Sequence, residues 1–157
     1  MVQAFTILRK KYLWSAELYL AGAKESDIRD ALRERQIRVE EVDWQKIHLL
    51  GDLGSEKLTD YYNLCDVFCM PSYFEAYGLV FAEALTYGLP CIGRDKFAMS
   101  EFIEDGCTGR LISGEDAEKL ALDLWEVLRD PKYREEVERR REWYLSCLLY
   151  TSPSPRD

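Results

Sequence analysis

Five short apolar runs recur along this chain, and a helical stretch follows each of them. The runs are Glu17–Gly22, Ile47–Gly51, Asp66–Met70, Cys91–Ile92 and Gly109–Ile112. Runs this short suit strands better than helices. Asp66–Met70 is nearly all apolar, as a strand covered on both faces of a parallel sheet must be. The stretches between them carry helical signals. Val2, Phe5, Leu8 and Tyr12 share one helical face at the start, without a cap or a preceding strand. Ser26–Gln36 is a charged surface helix, and Ser55 is placed to cap a helix that runs to about Leu64. Further helices are expected over Gly78–Tyr87, Met99–Glu104 (stopped by Asp105-Gly106), Glu115–Arg129 and Pro131–Trp143. Strands alternating with helices at this spacing predict βαβ units. The fold class is therefore α/β, a Rossmann-like parallel sheet with helices on both faces. In such folds ligands bind beyond the carboxyl ends of the strands, so the loops after strands are where chemistry is sought.

Composition narrows the partners. The chain has 157 residues and a formal net charge of −8, which disfavours nucleic acid because phosphate binding wants a basic face. With 47% hydrophobic and 32% charged residues it is not a disordered chain. No run approaches the ~18 apolar residues of a membrane span, and no signal-peptide pattern opens the sequence. A lone histidine, His48, excludes a multi-histidine metal site and reads as structural. Cys65, Cys69, Cys91, Cys107 and Cys147 form no C-x-x-C pair. They read as free thiols of a reducing compartment, which places the protein in the cytoplasm, with no metal expected. No G-x-G-x-x-G follows any strand, which disfavours a dinucleotide dehydrogenase.

Residues 147–157, Cys-Leu-Leu-Tyr-Thr-Ser-Pro-Ser-Pro-Arg-Asp, break with the charged helical pattern before them. They resemble a translated sequencing adapter, the transposase end followed by its continuation, and predict an unstructured tail. That leaves residues 1–146 for the folded domain, with the charge unchanged because Arg156 and Asp157 cancel.

The chemistry concentrates after the third strand, in Pro71-Ser72-Tyr73-Phe74-Glu75-Ala76-Tyr77-Gly78-Leu79-Val80-Phe81-Ala82-Glu83-Ala84-Leu85. Two carboxylates stand eight positions apart, Glu75 in the loop and Glu83 within the helix. Around Glu83 the helix is apolar on every side. A packed, unpaired carboxylate there costs on the order of several kcal/mol, so a structural ion pair or an exposed edge is one reading. The other is a ligand diol, because a carboxylate offers two acceptor oxygens to two vicinal hydroxyls. Gly78 at the helix start lets the backbone approach a ligand, and the N–H groups there favour phosphate.

In full the motif reads P-S-x-x-E-x-x-G-L-x-x-x-E-A-L-x-x-G-x-P. It resembles the C-terminal, donor-binding domain of the family-four (group 1) retaining glycosyltransferases of the GT-B fold. The likeness covers nearly all of residues 1–146. It includes Leu20-Ala21-Gly22, Leu50-Gly51, Asp66-Val67, Gly88-Leu89-Pro90, Glu101 with Asp105-Gly106, and Thr108-Gly109-Arg110-Leu111. It implies the C-terminal half of a GT-B fold, entered after its start. It implies a nucleotide-diphosphate sugar as substrate, no metal or other cofactor, and transfer of a hexosyl group to an acceptor. By that likeness Glu75 would hold hydroxyls of the transferred sugar, and Glu83 the nucleotide ribose. Backbone amides at Tyr77, Gly78 and Leu79 would meet the sugar and the distal phosphate, and Leu53 would pack the nucleobase.

The departures from the pattern matter as well. The family's Arg and Lys that neutralise the pyrophosphate belong upstream of the opening helix. Arg9, Lys10 and Lys11 are read as exposed helix residues and not as their replacements. Arg94 and Lys96 follow a strand and could face phosphates, although a charged loop is usually solvated. Glu101 reads equally as a helix N-terminal charge. The acceptor would be bound by an N-terminal domain outside this chain, the parent could associate peripherally with a membrane, and the chain alone is expected to be inactive. Two alternatives stay open, a GT-B sugar-nucleotide epimerase and a non-catalytic binding domain.

Overall fold

The computed structural model describes residues 1–72, 78–96 and 99–151. The chain divides into two compact units, Met1–Asp60 with Asp116–Trp125, and Tyr61–Glu115 with Glu126–Asp157. The expected α/β class is the one found. Among the described residues five strands form two hydrogen-bonded parallel sheets rather than one, with orders β1-β2 and β3-β4-β5.

In the first unit, helix α1 (Val2–Lys11) precedes β1 (Leu18–Ala21), α2 (Glu25–Glu34) and β2 (Ile47–Gly51). Leu18 pairs with Ile47, Tyr19 with His48 and Leu20 with Leu49; the register then shifts, so Ala21 meets Gly51. The apolar spacing of α1 buries Val2 and Phe5 against Leu32, Val39, Val42 and Ile47. Two short 3-10 turns, Val39–Glu41 and Trp44–Lys46, carry part of that core and have no apolar period that would announce them. Helix α3 (Ser55–Leu64) begins one residue earlier than a cap at Ser55 requires. Leu58 N donates to Gly54 O, so Gly54 holds the cap position and Ser55 is the first helical residue. Helix α6 (Ala117–Arg129) is capped by Asp116, whose Oδ1 accepts from the amides of Glu118 at 2.9 Å and Lys119 at 3.1 Å.

The second unit is built on β3 (Phe68–Cys69), β4 (Cys91–Arg94) and β5 (Gly109–Ile112). The expected third strand is shorter than its apolar run, although Met70 N still donates to Ile92 O. The central strand β4 is buried along its whole length. Gly109 lies beside it, and a Cβ there would overlap the Cys91 carbonyl, so only glycine allows the two strands to pair. Helices α4 (Leu79–Thr86) and α5 (Met99–Phe102) pack on β4. Helices α7 (Lys132–Arg139) and α8 (Arg141–Thr151) cover α4 in turn.

The single helix expected from Pro131 is two. It breaks at Arg140, whose backbone leaves the helical region while its guanidinium engages Glu104 at 2.9 Å and Glu136 at 3.2 Å. The tail also departs from expectation. Cys147 to Thr151 continue α8, because the first helix-breaking residue is Pro153. Among the described residues no helix is long and apolar enough to cross a membrane.

Candidate functional site

Of the residues that the sequence singles out, Gly78, Leu79 and Glu83 lie at the start and second turn of α4. Strand β3 delivers the chain to Pro71 and Ser72, which are half-buried. Glu75 and Tyr77 lie outside the described residues. Gly78 is buried and sits at φ +65°, the left-handed conformation that glycine adopts without steric cost. It is the N-cap of α4, and its carbonyl accepts from Phe81 N at 2.9 Å. The amides of Leu79 and Val80 precede the first intrahelical bond, so the positive end of the helix dipole falls at this turn. Leu79 itself is half-buried.

Glu83 stands on the second turn of α4, between residues that are wholly inside. Phe81, Ala82, Ala84 and Leu85 are all 0% exposed, whereas Glu83 is half-buried. Its carboxylate has a partner in Tyr62 on the last turn of α3, whose hydroxyl donates to Glu83 Oε2 at 3.4 Å. Tyr62 is 5% exposed. Burial first, and then the Glu83 charge, push its phenol far above the ordinary range, so it stays protonated and remains a donor. Its ring stacks on Tyr87 at 5.4 Å between centroids and meets Phe68 edge-on at 6.0 Å. Tyr62 carried no signal in isolation. Its one sequence mark is a position four residues after Leu58, on the inward face of α3.

Arg94 corrects an expectation. It is 8% exposed and faces backbone rather than open solvent. Its Nε donates to Pro71 O at 3.1 Å and its Nη1 to Gly114 O at 2.8 Å, so it joins the loop after β3 to the loop after β5. Its Nε and Nη1 are thus engaged by backbone carbonyls inside the protein. Lys96 is exposed.

The Asp105–Leu111 segment is scaffold. Leu111 N donates to Asp105 Oδ1, Glu104 N donates to the buried Thr108 hydroxyl, and Gly106 N donates to Gly109 O, all at 2.9 Å. Glu101 is exposed in the first turn of α5, where an acidic side chain complements the helix dipole. Leu53 belongs to the first unit and is half-buried in the loop between β2 and α3. His48 is part of a surface network there. It stacks on Tyr19 at 4.5 Å, and its Nε2 lies 3.0 Å from Glu17 Oε2. Among the described residues no group of three or more His, Cys, Asp or Glu is arranged to hold a metal ion.

Residues 1–142 match the model of the family described as glycosyl transferases group 1. A D-inositol 3-phosphate glycosyltransferase of Streptomyces avermitilis is 32% identical over 96 residues, covering 61% of this chain and 21% of that protein. An uncharacterised 41.2 kDa protein from the cps region of Klebsiella pneumoniae is 37% identical over 81 residues, covering 52% of this chain and 23% of its own. The matched stretch thus spans about a fifth of those relatives. Among solved structures, WaaG, a glycosyltransferase involved in lipopolysaccharide biosynthesis, aligns over 97% of this chain and 42% of its own. Its TM-score is 0.70 and its identity 21%. HepE of Anabaena, in complex with UDP and glucose, aligns over 94% of this chain and 42% of its own, with a TM-score of 0.73 and 16% identity. At such identities the likeness establishes the fold.

Proposed function

This chain belongs to the group 1 glycosyl transferases, and from that premise we propose that it is the donor-binding part of a retaining glycosyltransferase. The parent moves a hexosyl group from a nucleotide-diphosphate sugar to an acceptor held by an N-terminal domain. The observation that carries the reading is Glu83. It is a half-buried carboxylate on a helix whose neighbouring residues are wholly buried, and the same helix is headed by a left-handed glycine at its N-cap. That pairing of diol acceptor with phosphate donor suits one ligand, a sugar linked to a ribose through phosphates.

In this reading Glu83 accepts from the ribose hydroxyls and Glu75 from hydroxyls of the transferred sugar. The amides of Tyr77, Gly78 and Leu79 meet the sugar and distal phosphate, and Leu53 is the residue against the nucleobase. Departure of the nucleoside diphosphate concentrates negative charge on its distal phosphate. Fixed amide dipoles aimed there stabilise that charge without reorganising. No metal takes part in the proposed chemistry. The complex of HepE with UDP and glucose supports a donor of this class.

The test is direct binding. The chain is titrated calorimetrically with UDP, GDP and ADP. One of the three is expected to bind and to be displaced by its own hexose conjugate, with no sugar released or transferred. Failure of all three to bind contradicts the reading.

A further inference from the structure

We propose that Tyr62 is a positioning residue for Glu83, its hydroxyl fixing one carboxylate oxygen so that the other is presented to a ligand diol. The inference rests on the donor-binding reading above and deepens it at one residue.

A half-exposed glutamate has several rotamers, and freezing one of them on binding costs conformational entropy. The structure supplies a device against that loss. Tyr62 is held by two aromatic contacts, the Tyr87 stack at 25° between planes and the T-shaped contact with Phe68 at 72°. Phe68 is itself set edge-on against the fully buried Phe81, with centroids 5.3 Å apart. The ring therefore cannot swing without disturbing the aromatic packing that joins α3, β3 and α4. Its hydroxyl ends 3.4 Å from Glu83 Oε2, a long contact for an O–H donor that is suited to tighten when a ligand draws the carboxylate inward. Among the described residues Oε1 of Glu83 has no partner. Each carboxylate oxygen carries two lone pairs, so Oε2 can hold Tyr62 and still accept from a ligand hydroxyl. The same helix turn is fixed from behind, where Thr86 Oγ1 donates to Glu83 O at 2.7 Å. A carboxylate held at one oxygen and open at the other is pre-organised for a vicinal diol.

The experiment compares a ribonucleotide with its 2′-deoxy form. The chain is titrated with UDP, GDP and ADP, and the tightest binder is then compared with its 2′-deoxy counterpart. Wild type is expected to prefer the ribonucleotide. Tyr62→Phe keeps both ring contacts and removes only the hydroxyl. It should weaken ribonucleotide binding about threefold to tenfold, the range of one net hydrogen bond, and shrink the preference over the 2′-deoxy form. Glu83→Gln should abolish that preference, and the double variant should bind no worse than Glu83→Gln alone. If Glu83→Gln weakens binding while Tyr62→Phe leaves the ribo/2′-deoxy ratio at its wild-type value, Tyr62 is a packing residue. The proposal then fails while the donor reading stands. If Glu83→Gln binds as wild type does, or if no ribonucleotide binds, the donor reading fails and takes the proposal with it.

Discussion

Arg94 Nη1 donates to the carbonyl oxygen of Gly114 at 2.8 Å, and the same guanidinium reaches Pro71 O through Nε at 3.1 Å. One buried cation at the end of β4 thereby sets the loops that leave the two neighbouring strands. Removing it strands two carbonyls that lose charge-assisted donors. Arg94→Met is expected to destabilise the chain by about 2–4 kcal/mol in urea unfolding. Arg94→Lys should recover part of that, since a single ammonium cannot reproduce the planar fork. A loss under about 0.5 kcal/mol for Arg94→Met contradicts this role.

Gly78 heads α4 at φ +65°, where a Cβ is sterically opposed. Gly78→Ala should cost about 1–2 kcal/mol of stability, and Gly78→Asn less, because asparagine tolerates the left-handed region. The first-turn amides shift with that backbone. Nucleoside diphosphate binding should therefore fall further in Gly78→Ala than a stability-matched variant elsewhere would show. Equal binding by the two variants contradicts a donor role for these amides.

Much of this molecule is legible from residue spacing, and the illegible parts share a physical reason. Ile47–Gly51 and Gly109–Ile112 stand as strands because short apolar runs flanked by glycine leave few alternatives. Helix α1 follows from Val2, Phe5 and Leu8, and Gly78 from its position before an apolar helix. Arg94 reads as a loop cation because two of its partners are backbone carbonyls 23 and 20 residues away, which no local pattern reports. Tyr62 was silent for the same reason, since Glu83 lies 21 residues further along. The break at Arg140 hides inside a charged run, because no proline or glycine marks it and Glu104, one of the residues its guanidinium engages there, lies 36 residues earlier in the chain. Glu83 itself was legible as an anomaly, a charge where the helix is otherwise apolar.

The surface network on β1 and β2 makes a pH prediction. Hydrogen bonds from Lys46, then His48 and Tyr19, hold the Glu17 carboxyl at about 2, against an ordinary value of 4.5. A carboxylate depressed in the folded state stabilises it fully above the unfolded value and loses that contribution as pH falls toward the folded one. The contribution should therefore be whole above about pH 4.5 and gone near pH 2. Glu17 is exposed, so the effect is small and screened by salt. Glu17→Gln should flatten the stability profile across that window at low ionic strength. A profile parallel to wild type contradicts the pairing.

The central claim is that Glu83 grips the ligand. Its most direct measurement is calorimetric titration of wild type and Glu83→Ala with the nucleoside diphosphate that binds wild type, each variant's melting temperature being recorded alongside. A hydrogen bond to a charged acceptor is worth about 1.5–3 kcal/mol, so the affinity should fall roughly tenfold to a hundredfold. The melting temperature should move by only a few degrees, because the carboxylate is half-buried and Tyr62 keeps its aromatic contacts. An unchanged dissociation constant in a folded Glu83→Ala variant contradicts the account.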